Sequence, residues 1–273
     1  MNKKEAWNKF KQSGKIEDYL EYKKKCKWLY EWRSKRYSIT WNSVWRILKD
    51  SPNFNLEHGL IGAIAKNALN IRSTMRNKAV KFSYAKFNII YKENKLSTIV
   101  SIDILDNLTT LKSDIILIGY LTYLCDLTYQ VLKNNNEPSI YRILVPGLLK
   151  MNANLDPLVL TNIIELKYLK YLGVSLNLDS CSICGTKQSI LTLSVEDSGY
   201  ICKNCYHNEY IVNPKTITMI RKYLYVDISS ITSLNISNEV KLDINMFLTR
   251  YYDTYTGLYL KSKNFLNKML ELK

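Results

Sequence analysis

The chain has 273 residues, of which 47% are hydrophobic and 23% charged, and this is enough to bury a real core in one large domain or in two or three small ones. We find no run of about 18 apolar residues, the length of a membrane span, and the N-terminus carries no apolar signal region. The composition therefore predicts a cytoplasmic protein with reduced thiols and no membrane partner.

The net charge of +15 is concentrated in the first part of the chain. Residues 1–100 hold 22 Lys and Arg against 8 Asp and Glu, a net charge of +14, whereas residues 101–273 hold 17 against 16. A lysine-rich composition alone would spread the excess evenly along the chain. We therefore predict a basic module that binds a polyanion, most often a nucleic acid, joined to a nearly neutral body.

Residues 3–33 are predicted to form one or two helices, because apolar and aromatic residues from Trp7 to Leu20 recur at helical spacing around a break at Ser13-Gly14. The lysines of residues 23–27 are interpreted as a solvated face that adds to the positive field. This segment precedes the basic module as a helical extension.

Residues 37–106 are predicted to form a small, basic, mostly β module. Strand-forming residues occupy 38–48, 60–66, 81–91 and 96–102, with turns at Ser51-Pro52-Asn53 and at residues 92–95. The connection 67–79 is polar and basic. In the strand that begins at Lys81, we expect Phe82 and Tyr84 to face the structured side, with Lys81 and Ser83 opposite.

Residues 107–273 are predicted to be mostly helical. The helices are expected at 111–132, 139–152, 156–172, Pro214–Tyr225 and 242–272, the last with a break at Gly257. A cysteine-rich module at residues 178–210 interrupts this helical body.

Four cysteines of this module form two Cys-x-x-Cys pairs, Cys181 with Cys184 and Cys202 with Cys205, with seventeen residues between the pairs. Two residues between thiols let one tight turn offer both sulfurs to the same ion, so two turns supply the tetrahedral thiolate set of a structural zinc site. Such an ion has no open position and therefore no water to activate. Gly185 and Gly199 are placed to supply the unusual backbone angles that the turns need.

Other uses of the four cysteines are weaker interpretations. A redox dithiol needs only one pair, and two disulfides would need an oxidising compartment. An iron–sulfur cluster also takes four thiolates, and spacing alone leaves it open. The spacing favours zinc, and we interpret Cys26 and Cys125 as ordinary residues.

The sequence offers no set of catalytic residues. The two histidines, His58 and His207, fall in predicted loops, and His207 could replace a metal ligand although four thiols suffice. The chain has no phosphate-binding loop, no Gly-x-Ser-x-Gly and no clustered carboxylates of the kind that nucleases use. We therefore predict a protein that acts by binding and is not an enzyme.

Several stretches resemble the signature of the RecO family, the bacterial recombination mediators of DNA repair. Ile-Glu-Leu-Lys-Tyr-Leu-Lys-Tyr-Leu-Gly at residues 164–173 is followed by Leu-Asp-Ser-Cys-Ser-Ile-Cys-Gly at 178–185. Further similarity lies at residues 62–68, at 82–87 and at Leu260-Lys261-Ser262, so the resemblance covers roughly residues 44–273. The segment 7–23 resembles the very small YqzL-like proteins instead.

This resemblance implies an α+β protein in three parts. Residues 1–36 would be the YqzL-like extension, residues 37–106 an OB-like β-barrel, and residues 107–273 a helical domain with a zinc ribbon-like insertion at 178–210. Only about 20 residues, 38–57, are available for the first two strands of the barrel, so we expect it to be shortened.

The resemblance also implies a function in DNA repair and recombination after DNA damage. It implies binding of single- and double-stranded DNA, strand annealing and support of RecA loading. The implied partners are RecR and the acidic C-terminal tail of single-strand-binding protein, in a cytoplasmic, nucleoid-associated protein. An alternative hypothesis is a basic zinc-ribbon adaptor that binds RNA or protein, which the Glu-Leu-Lys and Leu-Lys-Ser stretches disfavour.

The predicted DNA-binding residues are basic side chains of the β module: Lys66, Arg72, Arg76, Lys78, Lys81 and Lys86. Tyr84 and Phe87 could stack on bases, but aromatic residues of strands more often belong to the core. A groove for the acidic tail needs a basic rim, and the helical body offers Arg142, Lys150, Lys167 and Lys170.

Overall fold

A small barrel, a helical body and a three-stranded sheet make up the described part of the chain, which is a mixed α+β protein. The computed structural model describes residues 36–43, 52–55, 59–66, 68, 70–92, 95–135 and 137–271. These belong to one compact unit, Arg36–Lys273. The helices predicted within residues 3–33, Cys26 and His58 lie outside the described residues.

Five strands close into a barrel in the order β1-β2-β3-β5-β4. The strands are β1 (Arg36–Ser43), β2 (Pro52–Asn55), β3 (Gly59–Ala65), β4 (Ser83–Ile90) and β5 (Ser97–Asp106). Neighbouring strands are antiparallel except β3 and β5, which run parallel. Because β4 pairs with β1 along its whole length, the barrel has no open edge between these strands.

Strand β2 corrects the expectation of a turn at Ser51-Pro52-Asn53, because Pro52 and Asn53 are its first residues. Proline lacks a backbone N–H, and the first residue of a strand is one of the few strand positions that tolerate this loss. Pro52 lies opposite Gly62, and Asn55 lies opposite Gly59. Strands β1 and β2 thus both form between residues 36 and 55, starting two residues earlier than expected, and the barrel closes.

In β4, Ser83 and Tyr84 point to the opposite sides from those that the sequence predicted. Ser83, Ala85, Phe87 and Ile89 are buried, whereas Tyr84 is half-buried and Lys86 is exposed. Phe82 has a φ of 57°, in the left-handed region, so the chain turns there and the strand alternation begins one residue later. The inward side chains of β4 meet Ile61, Ile99 and Ile102 in a separate barrel core.

Seven α-helices follow the barrel in the described residues. They are α1 (Thr109–Ser113), α2 (Ile115–Asn134), α3 (Pro138–Asn152), α4 (Pro157–Tyr168), α5 (Pro214–Tyr225), α6 (Asn238–Tyr255) and α7 (Lys261–Glu271). The prediction of a helix at Pro214–Tyr225 is confirmed, with Asn213 capping its first turn. The predicted break at Gly257 is also confirmed, because its φ of 60° ends α6 before α7 begins.

Helix α2 corrects the expectation that no stretch could span a membrane. By length and composition, Ile115–Lys133 is apolar enough to do so, and half of this window is buried. The helix packs against α3, α4 and α7, and Leu121, Leu124 and Leu127 are at most 1% exposed. A core helix of a soluble protein meets the same criteria, so the apolar composition of α2 is explained by packing.

The cysteine-rich module is a three-stranded sheet attached to the helical core. Its strands β6 (Asn177–Cys181), β7 (Ile190–Ser194) and β8 (Gly199–Cys202) lie in the order β6-β8-β7. Leu178, Leu193 and Tyr200 belong to the same buried cluster as the helices. On the surface, Arg221 of α5 binds the Asp179 carboxylate of β6 at 2.8 Å. The module is therefore held in a defined position against the body.

Candidate functional site

The four paired cysteines form one cluster at the end of the small sheet. The sulfurs of Cys181, Cys184, Cys202 and Cys205 all lie within 4.8 Å of one another, and the Cys184 and Cys202 sulfurs are 3.6 Å apart. Zinc–sulfur bonds of about 2.3 Å in a regular tetrahedron would separate the sulfurs by about 3.8 Å. The cluster could therefore hold a metal ion, and its soft thiolate donors suit zinc or iron.

Each cysteine pair lies where a strand ends in a tight turn. Cys181 ends β6, its N–H donates to the Thr186 carbonyl at 2.7 Å, and its own carbonyl accepts from the Gly185 N–H at 2.9 Å. Gly185 has a φ of 76°, as expected from its place after the first pair. Cys202 ends β8, and the Cys205 N–H donates to its carbonyl at 3.1 Å. Strand ends thus bring two local turns to one point.

Gly199 is needed for close packing of two strands and not for the unusual backbone angle that we expected. Its φ is not in the left-handed region, which among the described glycines contains Gly173, Gly185 and Gly257. A Cβ at Gly199 would instead collide with the carbonyl oxygen of Asn177 and lie 2.6 Å from the Ser182 hydroxyl. Glycine is needed here because β6 and β8 approach closely, which positions the two cysteine turns side by side.

The thiols of the cluster differ in acidity. Burial raises the pKa of Cys181, but hydrogen bonds from the backbone of Cys184, Cys202 and Ile183 outweigh it and lower this pKa to about 6. Hydrogen bonding to Cys184, together with burial, raises the pKa of Cys205 to about 12. Four thiolates this close repel one another, so a cation at their centre is what would let all four ionise.

The remaining candidate ligands lie outside the cluster. Cys125 is buried in α2, and burial raises the pKa of its thiol well above the usual range. His207 is exposed, and its backbone N–H donates to a Glu209 carboxylate oxygen at 3.0 Å. In the described part of the chain, the metal-binding group consists of the four cysteines alone.

The connection between β3 and β4, residues 66–82, carries most of the predicted DNA-binding side chains. Lys66, Arg72, Arg76 and Lys81 are exposed on it. Met75 and Ala79 pack beneath it against the barrel core, and the Ala79 N–H donates to the Met75 carbonyl at 2.8 Å. Residues 59–92 contain seven Lys and Arg and no Asp or Glu. The result is a basic surface that is anchored to the barrel.

Lys78 and Lys86 meet at an acidic residue that the sequence analysis missed. Lys86 of β4 lies directly opposite Asp103 of β5, and the Lys78 ammonium lies 3.9 Å from an Asp103 carboxylate oxygen. This is a half-exposed ion pair, so its own contribution to stability is small. Asp103 nevertheless reduces the positive charge of this face. No sequence signal indicated the contact, because it depends on the register of β4 with β5.

The two aromatic candidates for base stacking are placed differently. Phe87 is 1% exposed in the barrel core, which makes it unavailable for stacking on bases. Tyr84 is half-buried on the other face of β4.

Among the four basic candidates of the helical body, Lys167 has an internal partner. Its ammonium donates to the Leu224 carbonyl at 2.6 Å near the end of α5, and burial lowers its pKa although Asp227 opposes this shift. Hydrogen bonds from Ser229 lower the pKa of Asp227 most, and the nearby charges of Lys167 and Lys150 lower it further. Arg142 and Lys170 are exposed. Arg142, Lys150 and Lys170 remain the candidates for a basic rim.

Comparison with known proteins gives the family of the chain. Residues 112–264, more than half of the sequence, match the family model described as "Recombination protein O C terminal". The chain belongs to the RecO family. The DNA repair protein RecO of Bacillus pumilus is 30% identical over 221 residues, which cover 80% of this chain and 86% of that protein.

Further RecO relatives agree over the same extent. The DNA repair protein RecO of Bacillus subtilis is 28% identical over 221 residues, with 80% of this chain and 86% of that protein covered. The corresponding protein of Listeria monocytogenes is 27% identical over 220 residues, with 79% and 86% covered. The RecO match at residues 112–264 includes the whole cysteine cluster and the helices around it.

Two RecO-like stretches of the sequence meet in space. Glu165, from the Glu-Leu-Lys stretch of α4, is 1% exposed and accepts a hydrogen bond from the Lys263 ammonium at 2.8 Å. Lys263 directly follows Leu260-Lys261-Ser262, whose Ser262 hydroxyl donates to Asp126 of α2 at 2.6 Å. Sequence patterns did not predict this pair. The sequence feature that could have indicated the pair is Glu165, an acidic residue within the apolar run from Ile163 to Leu166.

Proposed function

We propose that this chain is a RecO-type mediator of DNA repair and recombination that acts by binding and not by catalysis. In this proposal it binds single- and double-stranded DNA, anneals complementary strands and supports RecA loading together with RecR and single-strand-binding protein. The observation that carries the proposal is the anchored basic surface of residues 66–82 on a closed barrel, in a chain of the RecO family.

The barrel supports the proposal through its topology. We propose that it is an OB-fold, the five-stranded barrel that many proteins use to bind single strands. The strand order β1-β2-β3-β5-β4, with its single parallel pair between β3 and β5, agrees with this assignment. Residues 37–106 would then be the DNA-binding domain and residues 107–273 the helical domain.

The proposed chemistry of binding is neutralisation of phosphates. Exposed Lys and Arg side chains release counterions from DNA, which makes binding strong at low salt and weak at high salt. Annealing brings two polyanions together, and a basic surface reduces their repulsion. Phosphate contacts carry no sequence information, as a mediator that acts on any damaged region requires.

We propose that the cysteine cluster holds a structural Zn²⁺ ion. Zinc would supply the charge that keeps Cys181, Cys184, Cys202 and Cys205 ionised and would fix the two turns to each other. Because Leu193 and Tyr200 of this module pack in the main core, the ion would also stabilise the helical body.

For the protein partners, we propose that the helical body receives the acidic tail of single-strand-binding protein. Arg142, Lys150 and Lys170 would form the basic rim, while Lys167 stays bonded to the Leu224 carbonyl. Contact with RecA would be indirect, through RecR. Membership in a family of DNA repair proteins favours this function over an RNA-binding adaptor.

The test is annealing of complementary strands coated with single-strand-binding protein, together with single-strand affinity, at two salt concentrations. The variant Arg72→Ala/Arg76→Ala/Lys81→Ala removes three exposed charges of residues 66–82. We expect its affinity to fall about 30-fold and the slope of log affinity against log salt to become shallower by about 2.

The matched control is Lys215→Ala/Lys222→Ala/Lys268→Ala, which removes three exposed charges from the helical body. It should leave both quantities near those of the unchanged protein. An equal loss in the control, or no DNA binding at low salt by the unchanged protein, would contradict the proposal.

The substitution Asp103→Asn is expected to tighten DNA binding about threefold at low salt. It removes the negative charge that lies beside Lys78 and opposite Lys86, while the amide keeps the shape of the side chain. Fluorescence anisotropy with a labelled single strand measures the change, and Glu271→Gln, an exposed change of the same charge, is the control. Equal affinities for all three proteins would mean that Lys78 and Lys86 do not face the DNA.

A further inference from the structure

A cleft of about 630 Å³ lies between the cysteine-rich module and helix α6. One wall is the end of β7 and the turn after it, residues 193–197, and a second is the segment 208–212. Three of the lining residues, Leu193, Val212 and Phe247, are only 4–6% exposed. The volume is within the range of ligand-binding clefts, and the cleft is separate from the basic barrel surface.

The charge of the cleft is opposite to that of the protein. Five carboxylates and one arginine line it: Glu196, Asp197, Glu209, Asp243, Asp253 and Arg250. The protein as a whole carries a net charge of +15. A negative concave surface on a positive protein attracts cations and repels the phosphates of DNA, so this cleft is not part of the proposed DNA-binding surface.

The carboxylates differ in their exposure and in the hydrogen bonds that they accept within the protein. An oxygen of Asp243 accepts from the Asn213 N–H and from the Thr216 hydroxyl, each at 3.0 Å, which positions the start of α5. Glu209 accepts from the backbone N–H groups of His207 and Asn208. Glu196 and Asp253 are exposed. In the described part of the chain, the Glu196 carboxylate accepts one long hydrogen bond, from the Ser194 hydroxyl at 3.3 Å.

Large apolar side chains stand exposed at the rim of the same cleft. Tyr210 is 58% exposed and Met246 is 36% exposed, and both line it. Apolar area beside exposed carboxylates suits a ligand that carries both cationic and apolar groups. Methionine adapts to different partner shapes because its side chain is unbranched.

We propose that this cleft is a docking site for a cationic peptide segment of a partner protein. Lys or Arg side chains of the segment would lie against Glu196 and Asp253, and its apolar residues would contact Met246 and Tyr210. Charge complementarity identifies the occupant, because a negative cleft with apolar contacts disfavours both DNA and acidic tails.

The test uses the whole 273-residue chain and a short fluorescent peptide of alternating lysine and leucine. We expect it to bind at low salt, and we expect a peptide with glutamate in place of lysine not to bind. The variant Glu196→Gln/Asp253→Asn should weaken binding about tenfold, through the loss of two ion pairs. DNA affinity should not fall, because neither side chain belongs to the barrel surface.

Two matched controls separate the cleft from general electrostatics. Glu137→Gln/Glu271→Gln changes the net charge equally at exposed positions elsewhere and should retain peptide binding. Met246→Ala should weaken binding, whereas Leu242→Ala, 54% exposed on the same helix but outside the cleft, should not.

Three results would overturn the proposal. The first is an equal loss of peptide affinity in Glu196→Gln/Asp253→Asn and in Glu137→Gln/Glu271→Gln, and the second is binding of the glutamate peptide as tight as that of the lysine peptide. The third is self-association of the protein that Glu196→Gln/Asp253→Asn abolishes. The last result would assign the cleft to a second copy of this chain.

Discussion

Replacement of Cys202 by serine is expected to abolish binding of the proposed zinc ion and to unfold the cysteine-rich module. Cys202 is 1% exposed and lies 3.6 Å from the Cys184 sulfur, at the centre of the proposed ligand set. A serine hydroxyl is a poor zinc ligand beside three thiolates. Structural zinc contributes about 10 kcal/mol or more to the folding of small modules, so its loss should unfold this one.

The damage should extend beyond the module, because Leu193 and Tyr200 pack in the main helical core. We therefore expect a lower melting temperature of the helical body as well. Metal analysis of the purified protein should find one zinc per chain, and thermal unfolding measures the stability. Protons compete with the ion for the sulfurs, so zinc affinity should fall as the pH is lowered.

Cys125→Ala is the matched control for the metal prediction. Cys125 is equally buried but lies in α2, outside the sulfur cluster, so this variant should keep its zinc and lose only about 1 kcal/mol of stability. Full zinc content in Cys202→Ser would contradict the proposed ligand set. Iron and visible absorbance in the purified protein would assign the four cysteines to an iron–sulfur cluster instead.

Removal of the Lys263 ammonium is expected to cause the second large effect, a loss of about 3 kcal/mol or more in the free energy of unfolding. Lys263 lies 2.8 Å from the buried Glu165 carboxylate, and its side chain is 18% exposed. In Lys263→Ala the carboxylate keeps one described hydrogen bond, from the Tyr123 hydroxyl. Its other oxygen already has no hydrogen-bond partner among the described residues.

The effect should be largest at the C-terminal helix, because the ion pair joins α7 to α4 and Tyr123 adds α2 to the same network. Burial, and then the charge of Glu165, raises the pKa of Tyr123 well above its usual value, so this tyrosine stays a neutral donor. Urea unfolding followed by circular dichroism gives the change in free energy, and hydrogen exchange locates it.

Lys268→Ala, an exposed change on the same helix, should alter stability by no more than about 0.5 kcal/mol. The double variant Glu165→Leu/Lys263→Met should be more stable than Lys263→Ala, because no uncompensated charge remains buried, while the Tyr123 hydroxyl loses its acceptor. If Lys263→Ala were as stable as the control, the pair would have no structural importance.

Several features of this protein follow from its sequence because short-range geometry determines them. The Cys-x-x-Cys spacing predicted the cluster of four sulfurs, since two intervening residues suffice to define each turn. The sequence predicted the helix Pro214–Tyr225, and Gly257 marked the end of α6. The four longer barrel strands were also recognised, although their ends shifted by a few residues.

Other features were decided by the tertiary structure. The β4 alternation depended on the left-handed turn at Phe82, and the role of Gly199 depended on the approach of β6 to β8. Glu165 and Lys263 are 98 positions apart, and Lys86 lies opposite Asp103 only because β4 pairs with β5 in one register. The acidic cleft likewise combines three separated segments. Local propensity carries no information about such contacts, because they form when packing brings distant segments together.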